Sequence, residues 1–341
     1  MERRGRGRIA MAIPKIIHYC WMSGDPFPQD IQKCVDSWAK IMPDYEIKLW
    51  NTENFDCNML PYVAEAWDRR KYAFVSDIVR LHALYTEGGI YLDSDIEVLK
   101  RFDDLLDNPA FTGFESGNRI GPWLIASEKG NPLIRELLDY YQGRHFCDEK
   151  GNLDMTPNTV PVTRILTGYG LKPVNEVQHL PNITVYPEEY FCPKNPWTNE
   201  INITDNTHAM HYFAGAWNDK ASEEMGFIGD IDKNIRIFLD WRRENSDESE
   251  IVIYGTGVVG LRCYECLCQE GFGNSVASFM VTKRDNSWLE IDGVPIKEVA
   301  EASPEDKNRL VLIGTNPKSH ETIGKTLKET GFERVFYLGQ A

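Results

Sequence analysis

The stretch from Tyr72 to Asp95 constrains this chain more than any other. Phe74, Ile78, Leu81, Leu84 and Tyr85 recur at helical spacing and predict a helix over 72–87, which Gly88-Gly89 stops. The apolar run Ile90-Tyr91-Leu92 follows as a strand and leads directly into Asp93-Ser94-Asp95. Carboxylates at the end of a core strand are unfavourable unless they serve a purpose, and the carboxyl ends of strands are where open α/β sheets place ligands. If the chain stays extended there, Asp93 and Asp95 point the same way and offer paired oxygens to a hard divalent cation. Alone, Asp-x-Asp is a weak signal, because a solvated turn or a helix cap accounts for it equally well. The preceding glycine pair adds weight, since it lets a ligand come close to the backbone.

The surrounding pattern is that of an α/β protein. A strand over 15–19, a helix carrying Ile31, Cys34, Val35 and Trp38, and a strand over Glu46–Trp50 form a βαβ unit ahead of the Tyr72–Asp95 stretch. A helical pattern ending at Trp241-Arg242-Arg243 gives way to the polar run 244–250 and then to Ile251-Val252-Ile253-Tyr254, which reads as a linker before a second domain. From there strands (251–254, 276–281, 310–314, 334–338) alternate with helices (about 258–270, 297–302, 319–330), the signature of a doubly wound parallel sheet. The expected division is an extension at 1–12, a first domain at 13–245 and a second at 246–341.

Composition sets the outer limits. The chain has 341 residues, enough for two domains with real cores. Its net charge of -15 opposes nucleic-acid binding, which depends on neutralising phosphates, and no basic patch offsets it. No apolar run reaches the length of a membrane span. Arg3, Arg4, Arg6 and Arg8 precede no apolar segment, so residues 1–12 fail as a secretory signal and read as a disordered or non-native extension, with Met11 an alternative start. A basic tail of this kind could touch an anionic membrane. The eight cysteines show no framework spacing, and Cys263, Cys266 and Cys268 lack a second pair or a nearby histidine for zinc. Reduced cysteines in a cytoplasmic protein, peripheral at most to the inner face of the membrane, are the expectation.

Two further segments carry chemistry. Asp77 and Arg80 stand at i and i+3 on one helix face, where an ion pair is the bland reading. The functional one has Asp77 accepting hydrogen bonds from sugar hydroxyls while the planar fork of Arg80 holds a carboxylate or phosphate. Far downstream, His211 could complete a divalent-metal shell and the Trp217 indole could donate to a departing phosphate. By itself His211 is more often a core histidine.

Together, Ile13–Trp21, Tyr72–Arg80, Gly88–Asp95 and His211–Trp217, four ordered motifs, resemble the DXD-containing sugar-transferase family, which includes fungal initiating α-mannosyltransferases, bacterial capsular-polysaccharide glycosyltransferases and, more remotely, glucosylating clostridial toxins. The resemblance covers roughly residues 13–240. It implies a nucleotide-binding domain of the glycosyltransferase A type, a nucleotide-sugar donor (a UDP-sugar first, a GDP-sugar second), Mn²⁺ or Mg²⁺, a glycan or lipid-linked saccharide acceptor, and retention of anomeric configuration in surface-polysaccharide synthesis. Carried over by residue, it makes Asp95 a metal ligand, Asp93 a ribose and metal contact, Asp77 and Arg80 the holders of the donor sugar, and Trp21 or the adjacent strand-end backbone the receiver of the base. His211 matches the first His of a His-His-x-x-x-Ser-Trp pattern and Trp217 its Trp, with Tyr212 and Ala216 where the pattern has His and Ser. Acceptor contacts are expected between about 114 and 200, where Trp123, Tyr140, Tyr141 and Trp197 could face sugar rings, although buried aromatics usually serve the core. The loop 195–198 reads as a lid.

In the second domain, Gly255, Gly257 and Gly260 follow the strand 251–254 as Gly-x-Gly-x-x-Gly at a helix start, the context of a dinucleotide fingerprint. No acid ends the next strand, where a ribose-binding carboxylate would stand, although Asp285 follows closely. The domain resembles small Rossmann-like modules appended to polysaccharide-biosynthesis enzymes, and a bound nucleotide is weighed there against a packing or oligomerisation role. Two other functions are open: a nucleotide-sensing protein working through this domain, and a metal-dependent phosphatase of the haloacid-dehalogenase type. The latter's pattern wants Gly and then Thr or Val after the second Asp, where Ile96 and Glu97 stand.

Overall fold

A computed structural model describes residues 13–115, 119–148, 151, 153–154, 156–172, 174–195, 200–214, 231–283, 289–291, 293–315 and 317–339. Backbone contacts divide the chain into two units, at Asp219/Lys220.

The first unit contains β1 (Ile16–Cys20), α1 (Gln29–Ile41), β2 (Glu46–Trp50), α2 (Pro61–Asp68), α3 (Tyr72–Glu87), β3 (Gly89–Leu92), β4 (Ile96–Val98), β5 (Ala110–Glu115), β6 (Arg119–Ser127), α4 (Pro132–Asp139), α5 (Thr159–Gly168), β7 (Gln178–Leu180), β8 (Ile183–Tyr186), α6 (Glu188–Phe191) and β9 (Ala209–His211). Its seven-stranded sheet runs β2-β1-β3-β6-β5-β8-β7. The expected βαβ unit is present, with β1 parallel to both β2 and β3, so three carboxyl ends open on the same edge. Beyond β3 the sheet turns antiparallel through β6 and β5. β4 and β9 form a separate antiparallel pair with Ile96 opposite His211, which joins the start of the late segment to the residue after Asp95.

Helix α3 is more deeply set than a one-stripe helix. Val75, Asp77, Val79, Arg80 and Ala83 are buried along with Phe74, Ile78, Leu81 and Leu84, whereas Tyr85 is only half-buried. The glycine stop has a steric cause. Gly88 and Gly89 take φ of 74° and 110°, and a Cβ on Gly89 would lie 2.6 Å from the Ile16 carbonyl oxygen. His18 fills the space beside them. Its Nδ1 accepts from the Trp50 indole at 3.1 Å, so its Nε2 carries the proton donated to the Gly88 carbonyl at 2.7 Å. Burial lowers the His18 pKa, consistent with a neutral ring. On the other side of the Asp93–Asp95 turn, fully buried Trp38 donates to the Ile96 carbonyl at 2.8 Å and Ser37 Oγ accepts the Val98 amide at 2.9 Å, so α1 holds β4 in place.

The second unit contains α7 (Ile231–Glu244), β10 (Ile251–Tyr254), α8 (Val258–Gln269), β11 (Val276–Val281), β12 (Glu290–Ile291), β13 (Val294–Glu298), α9 (Pro304–Asn308), β14 (Leu310–Ile313), α10 (His320–Glu329) and β15 (Val335–Tyr337). The sheet order is β12-β13-β11-β10-β14-β15, parallel except for the β12–β13 hairpin. Both faces are covered. Ile251, Ile253, Phe279 and Leu312 pack with α7 and α8, and Val252, Tyr254, Met280 and Ile313 pack with Leu327 and Phe332. Two details differ from the sequence reading. The helix expected at 297–302 is instead the end of β13, with Ile296 opposite Phe279 on β11, followed by a 3-10 turn at Val299–Glu301. The division read at 245/246 lies earlier by contacts, because Ile231, Ile235, Phe238 and Leu239 of α7 belong to the second core. The polar run after α7 is also tied down within that unit. Arg242 donates to the Asp247 and Ser249 carbonyls, and Asp247 pairs with Arg334.

Cys263 and Cys266 are buried in this core and Cys268 is exposed; the eight cysteines, all within the described residues, form no disulfide. Among the described residues, no helix is long and apolar enough to cross a membrane.

Candidate functional site

The candidate residues of the first unit gather where β3 ends. Asp93 leaves the sheet with its amide donated to the Trp123 carbonyl at 2.9 Å, and the Ile96 amide bonds back to the Asp93 carbonyl at 3.1 Å. The chain therefore turns between the two carboxylates instead of staying extended, and Asp93 and Asp95 acquire different partners.

Asp93 faces Arg80. The guanidinium lies 2.9 Å from Asp93 Oδ1 and 3.5 Å from Asp77 Oδ1, and its carbon stands 5.0 Å from the Tyr91 ring centre. The arginine and Asp77 are buried, whereas the Asp93 side chain keeps 30% of its exposure. Burial pushes the Asp77 carboxyl up to about 7, with Arg80 opposing the rise. Asp93 is likewise raised by burial and held back by Arg80. The i,i+3 spacing thus produces the ion pair of the bland reading, but the pair extends to the turn that the functional reading requires.

Asp95 faces His211. Its Oδ2 accepts the Ala214 amide at 2.8 Å and lies 3.3 Å from His211 Nε2. Burial alone would raise the Asp95 carboxyl, but His211 and the Ala214 amide bring it below the usual carboxylate range. Burial alone would lower His211, and Asp95 raises it instead. The imidazole stacks obliquely between Trp123 and Phe213, at centroid distances of 4.7 and 4.0 Å, and its buried Nδ1 has no hydrogen-bond partner among the described residues.

Whether this set suits a divalent cation can be judged from its donors. Among the described residues, no group of three or more His, Cys, Asp or Glu side chains could hold an ion by itself. Asp95 and His211 do converge, and 3.3 Å is close to the separation of neighbouring ligands on an ion with bonds of about 2.1–2.4 Å. The carboxylate suits Mn²⁺ or Mg²⁺, whereas an imidazole on its own favours softer divalent ions. The residues therefore fit an ion that takes its remaining ligands from a bound diphosphate, with Asp93, engaged by Arg80, at its margin.

Trp21 follows β1 at the same edge of the sheet. With Met22, Asp25, Phe27, Leu49 and Asn51 it lines a cavity of about 600 Å³, its indole N–H donated to the Asp25 carbonyl at 2.7 Å and its ring edge-on to Phe27. Trp217 and Trp197 lie outside the described residues. Trp123 and Tyr141 are core residues, as the bland reading held, although Trp123 also reaches the site through His211.

Two residues were not found from the sequence. Asn158, next to α5, donates to Asp77 Oδ1 at 2.5 Å across 81 positions, and nothing in its local pattern announces this. Glu115 ends β5 and accepts the Trp123 indole proton at 3.1 Å, and burial raises its carboxyl. A charged residue ending an apolar strand, the feature that drew attention to Asp93, was available at Glu115 as well.

In the second unit, two of the three glycines are explained by packing. Gly255 has a φ of 113°, and its Cβ would lie 2.7 Å from the Gly314 carbonyl; a Cβ on Gly260 would collide with the Gly255 carbonyl. Gly257 faces open space.

Comparison with known proteins finds a family match within the first unit. Residues 28–112 match the family described as glycosyltransferase sugar-binding region containing DXD motif. The chain is 33% identical over 131 residues to inositol phosphoceramide mannosyltransferase 3 of Schizosaccharomyces pombe, a match covering 37% of this chain and 36% of that protein. It is 28% identical to the subversion of eukaryotic traffic protein A of Legionella pneumophila, over 37% of this chain and 24% of that one. Initiation-specific alpha-1,6-mannosyltransferase of Candida albicans is 24% identical over 62% of this chain and 74% of its own length. The chain thus spans about a third and a quarter of the first two relatives. The matched stretch, residues 28–112, carries Asp77, Arg80, Asp93 and Asp95.

Proposed function

We propose that this protein is a metal-dependent glycosyltransferase that moves a hexose-type sugar from a nucleotide-sugar donor to a glycan or lipid-linked acceptor, with retention of configuration. The observation that carries the reading is the pairing of Asp95 with His211 at 3.3 Å beside the Asp77–Arg80–Asp93 cluster, at the carboxyl edge of the parallel strands.

The chemistry follows from charge. Cleaving the sugar–phosphate bond builds negative charge on the diphosphate and oxocarbenium character on the sugar. Asp95 and His211 would hold Mn²⁺ or Mg²⁺, whose contribution when bound is to neutralise the leaving diphosphate. Asp77 and Arg80 would hold the donor sugar, Asp77 by accepting from a hydroxyl and Arg80 through donors fixed in direction by its two carboxylates. Asn158, bonded to Asp77, fixes that carboxylate. The Trp21 cavity would take the base. The acceptor would attack from the leaving-group face and pass its proton to the departing phosphate. In the second unit, the strand order β13-β11-β10-β14-β15, all parallel, supports a Rossmann-like module.

Thermal stability against a panel of UDP- and GDP-sugars tests the reading, with and without Mn²⁺, on the wild type and Asp95→Asn. Two relatives are named mannosyltransferases, so a mannosyl donor belongs in the panel. A rise that needs both metal and one nucleotide sugar, and is lost in the variant, is expected. A rise independent of metal and equal in the variant would overturn it.

A further inference from the structure

The second unit holds a cavity of about 600 Å³ that the transferase reading does not use. It is lined by Tyr254 at the end of β10, by Val281, Thr282 and Lys283 at and just past the end of β11, and by Lys318, Ser319, Thr322 and Ile323 around the start of α10. It thus opens at the carboxyl ends of parallel strands, next to the place where strand order reverses. β10 pairs with β11 on one side and with β14, whose chain leads into α10, on the other. Open α/β sheets bind ligands in such a crevice.

The chemistry of the lining is one-sided. Two ammonium groups and four hydroxyls, those of Tyr254, Thr282, Ser319 and Thr322, stand against Val281 and Ile323, with no carboxylate among the described lining residues. Tyr254 and Thr282 are already hydrogen-bonded to each other, which fixes that wall. A 3-10 turn over Pro317–Ser319 leads directly into α10, and the Ser319 side chain makes no capping bond, which leaves its hydroxyl at the cavity wall. Lysines and hydroxyls together suit a phosphoryl group. The volume is far more than one phosphate occupies and lies within the range of small-molecule sites.

We infer that this cavity binds a phosphorylated ligand of nucleotide size, with Lys283 and Lys318 on its phosphates. The site differs from the one suggested by the glycine pattern. Gly255 is required by the close approach of Gly314 and Gly260 by that of the Gly255 carbonyl, and none of the three glycines lines the cavity. The inference is independent of the transferase reading.

The test is amide hydrogen exchange on the full chain in EDTA, with UDP or inorganic phosphate as probe at matched ionic strength. UDP is expected to slow exchange at least threefold in peptides covering 276–283 and 317–325, and inorganic phosphate to need at least tenfold higher concentration for the same effect. The double variant Lys283→Ala/Lys318→Ala should abolish this slowing while peptides over 16–21 and 89–95 behave as in the wild type. Absence of slowing with either probe, slowing that survives the double variant, or slowing confined to 255–260 would each overturn the inference. Equal potency of inorganic phosphate would overturn its nucleotide-size part.

Discussion

Replacing Arg80 with methionine removes the charge that two carboxylates share while keeping an apolar stem against the Tyr91 ring. Arg80 lies 2.9 Å from Asp93 and 3.5 Å from Asp77, and Asp77 is buried along with the arginine. Removing one partner of a buried pair costs about 3–5 kcal/mol, because the other charge is left without compensation. With m of about 2–3 kcal/mol per molar urea, that is a midpoint shift of roughly 1–2 M. The penalty depends on pH in a definite direction. Burial already raises Asp77 to about 7 against the opposing pull of Arg80, so the variant's carboxyls rise further. A carboxyl raised in the folded state binds protons more readily there than in the unfolded chain, so it gains stability as pH falls. The variant's deficit should be largest near pH 9 and narrow as pH falls, by up to about 1.4 kcal/mol per unit for each carboxyl that is protonated in the variant and still ionised in the wild type, a range that ends for Asp77 near pH 7. Urea unfolding followed by tryptophan fluorescence reads this, since most tryptophans lie in the first unit. A deficit under about 1 kcal/mol, or one that does not change with pH, would refute the argument.

Two further outcomes follow from the same geometry. Gly89→Ala forces a φ of 110° on a residue with a Cβ and places that atom 2.6 Å from the Ile16 carbonyl, so chemical denaturation should show a loss of at least about 2 kcal/mol; a change under about 0.5 kcal/mol would deny the steric reading. In metal-free protein, the stability that Asp95 and His211 lend each other is present above the ordinary Asp pKa and below the ordinary His pKa, about 4 to 6.5. It fades as pH rises through the raised His211 value, and again as pH falls through the lowered Asp95 value. The wild type's melting-point advantage over His211→Gln should accordingly peak near pH 5–6 and shrink above pH 7, while Mn²⁺ affinity rises with pH as the imidazole proton leaves; an advantage that grows above pH 7 in EDTA would contradict the pairing.

The parts legible in the sequence are those with a strong local pattern. Helix 72–87 ends at the glycine pair because Gly88 and Gly89 take dihedrals that other residues rarely adopt, and the strand after it is recognisable from its run of buried apolar residues. The convergence of His211 on Asp95 was reached only through an ordered set of motifs, since the β4–β9 pairing spans more than a hundred residues. What escaped depends on tertiary contact alone. Asn158 meets Asp77 across 81 positions from a segment with no periodicity of its own. The helix expected over 297–302 gives way to the end of β13, because a short segment with one buried residue, Ile296, has no period to decide it and pairing with β11 makes it a strand. The extended geometry expected for Asp93-Ser94-Asp95 gives way to a turn, as the Asp93 carbonyl accepts the Ile96 amide, and so the two carboxylates part toward Arg80 and His211.

The most direct test of the central claim is release of nucleoside diphosphate from the nucleotide sugar that stabilises the protein, measured with Mn²⁺ and with EDTA on the wild type and on Asp95→Asn. Asp95 accepts from Ala214 and pairs with His211, and asparagine keeps the shape while losing the charge. The account predicts turnover that requires the metal and falls at least a hundredfold in a variant whose circular dichroism is unchanged. Turnover in EDTA equal to that with Mn²⁺, or full activity in Asp95→Asn, would contradict it.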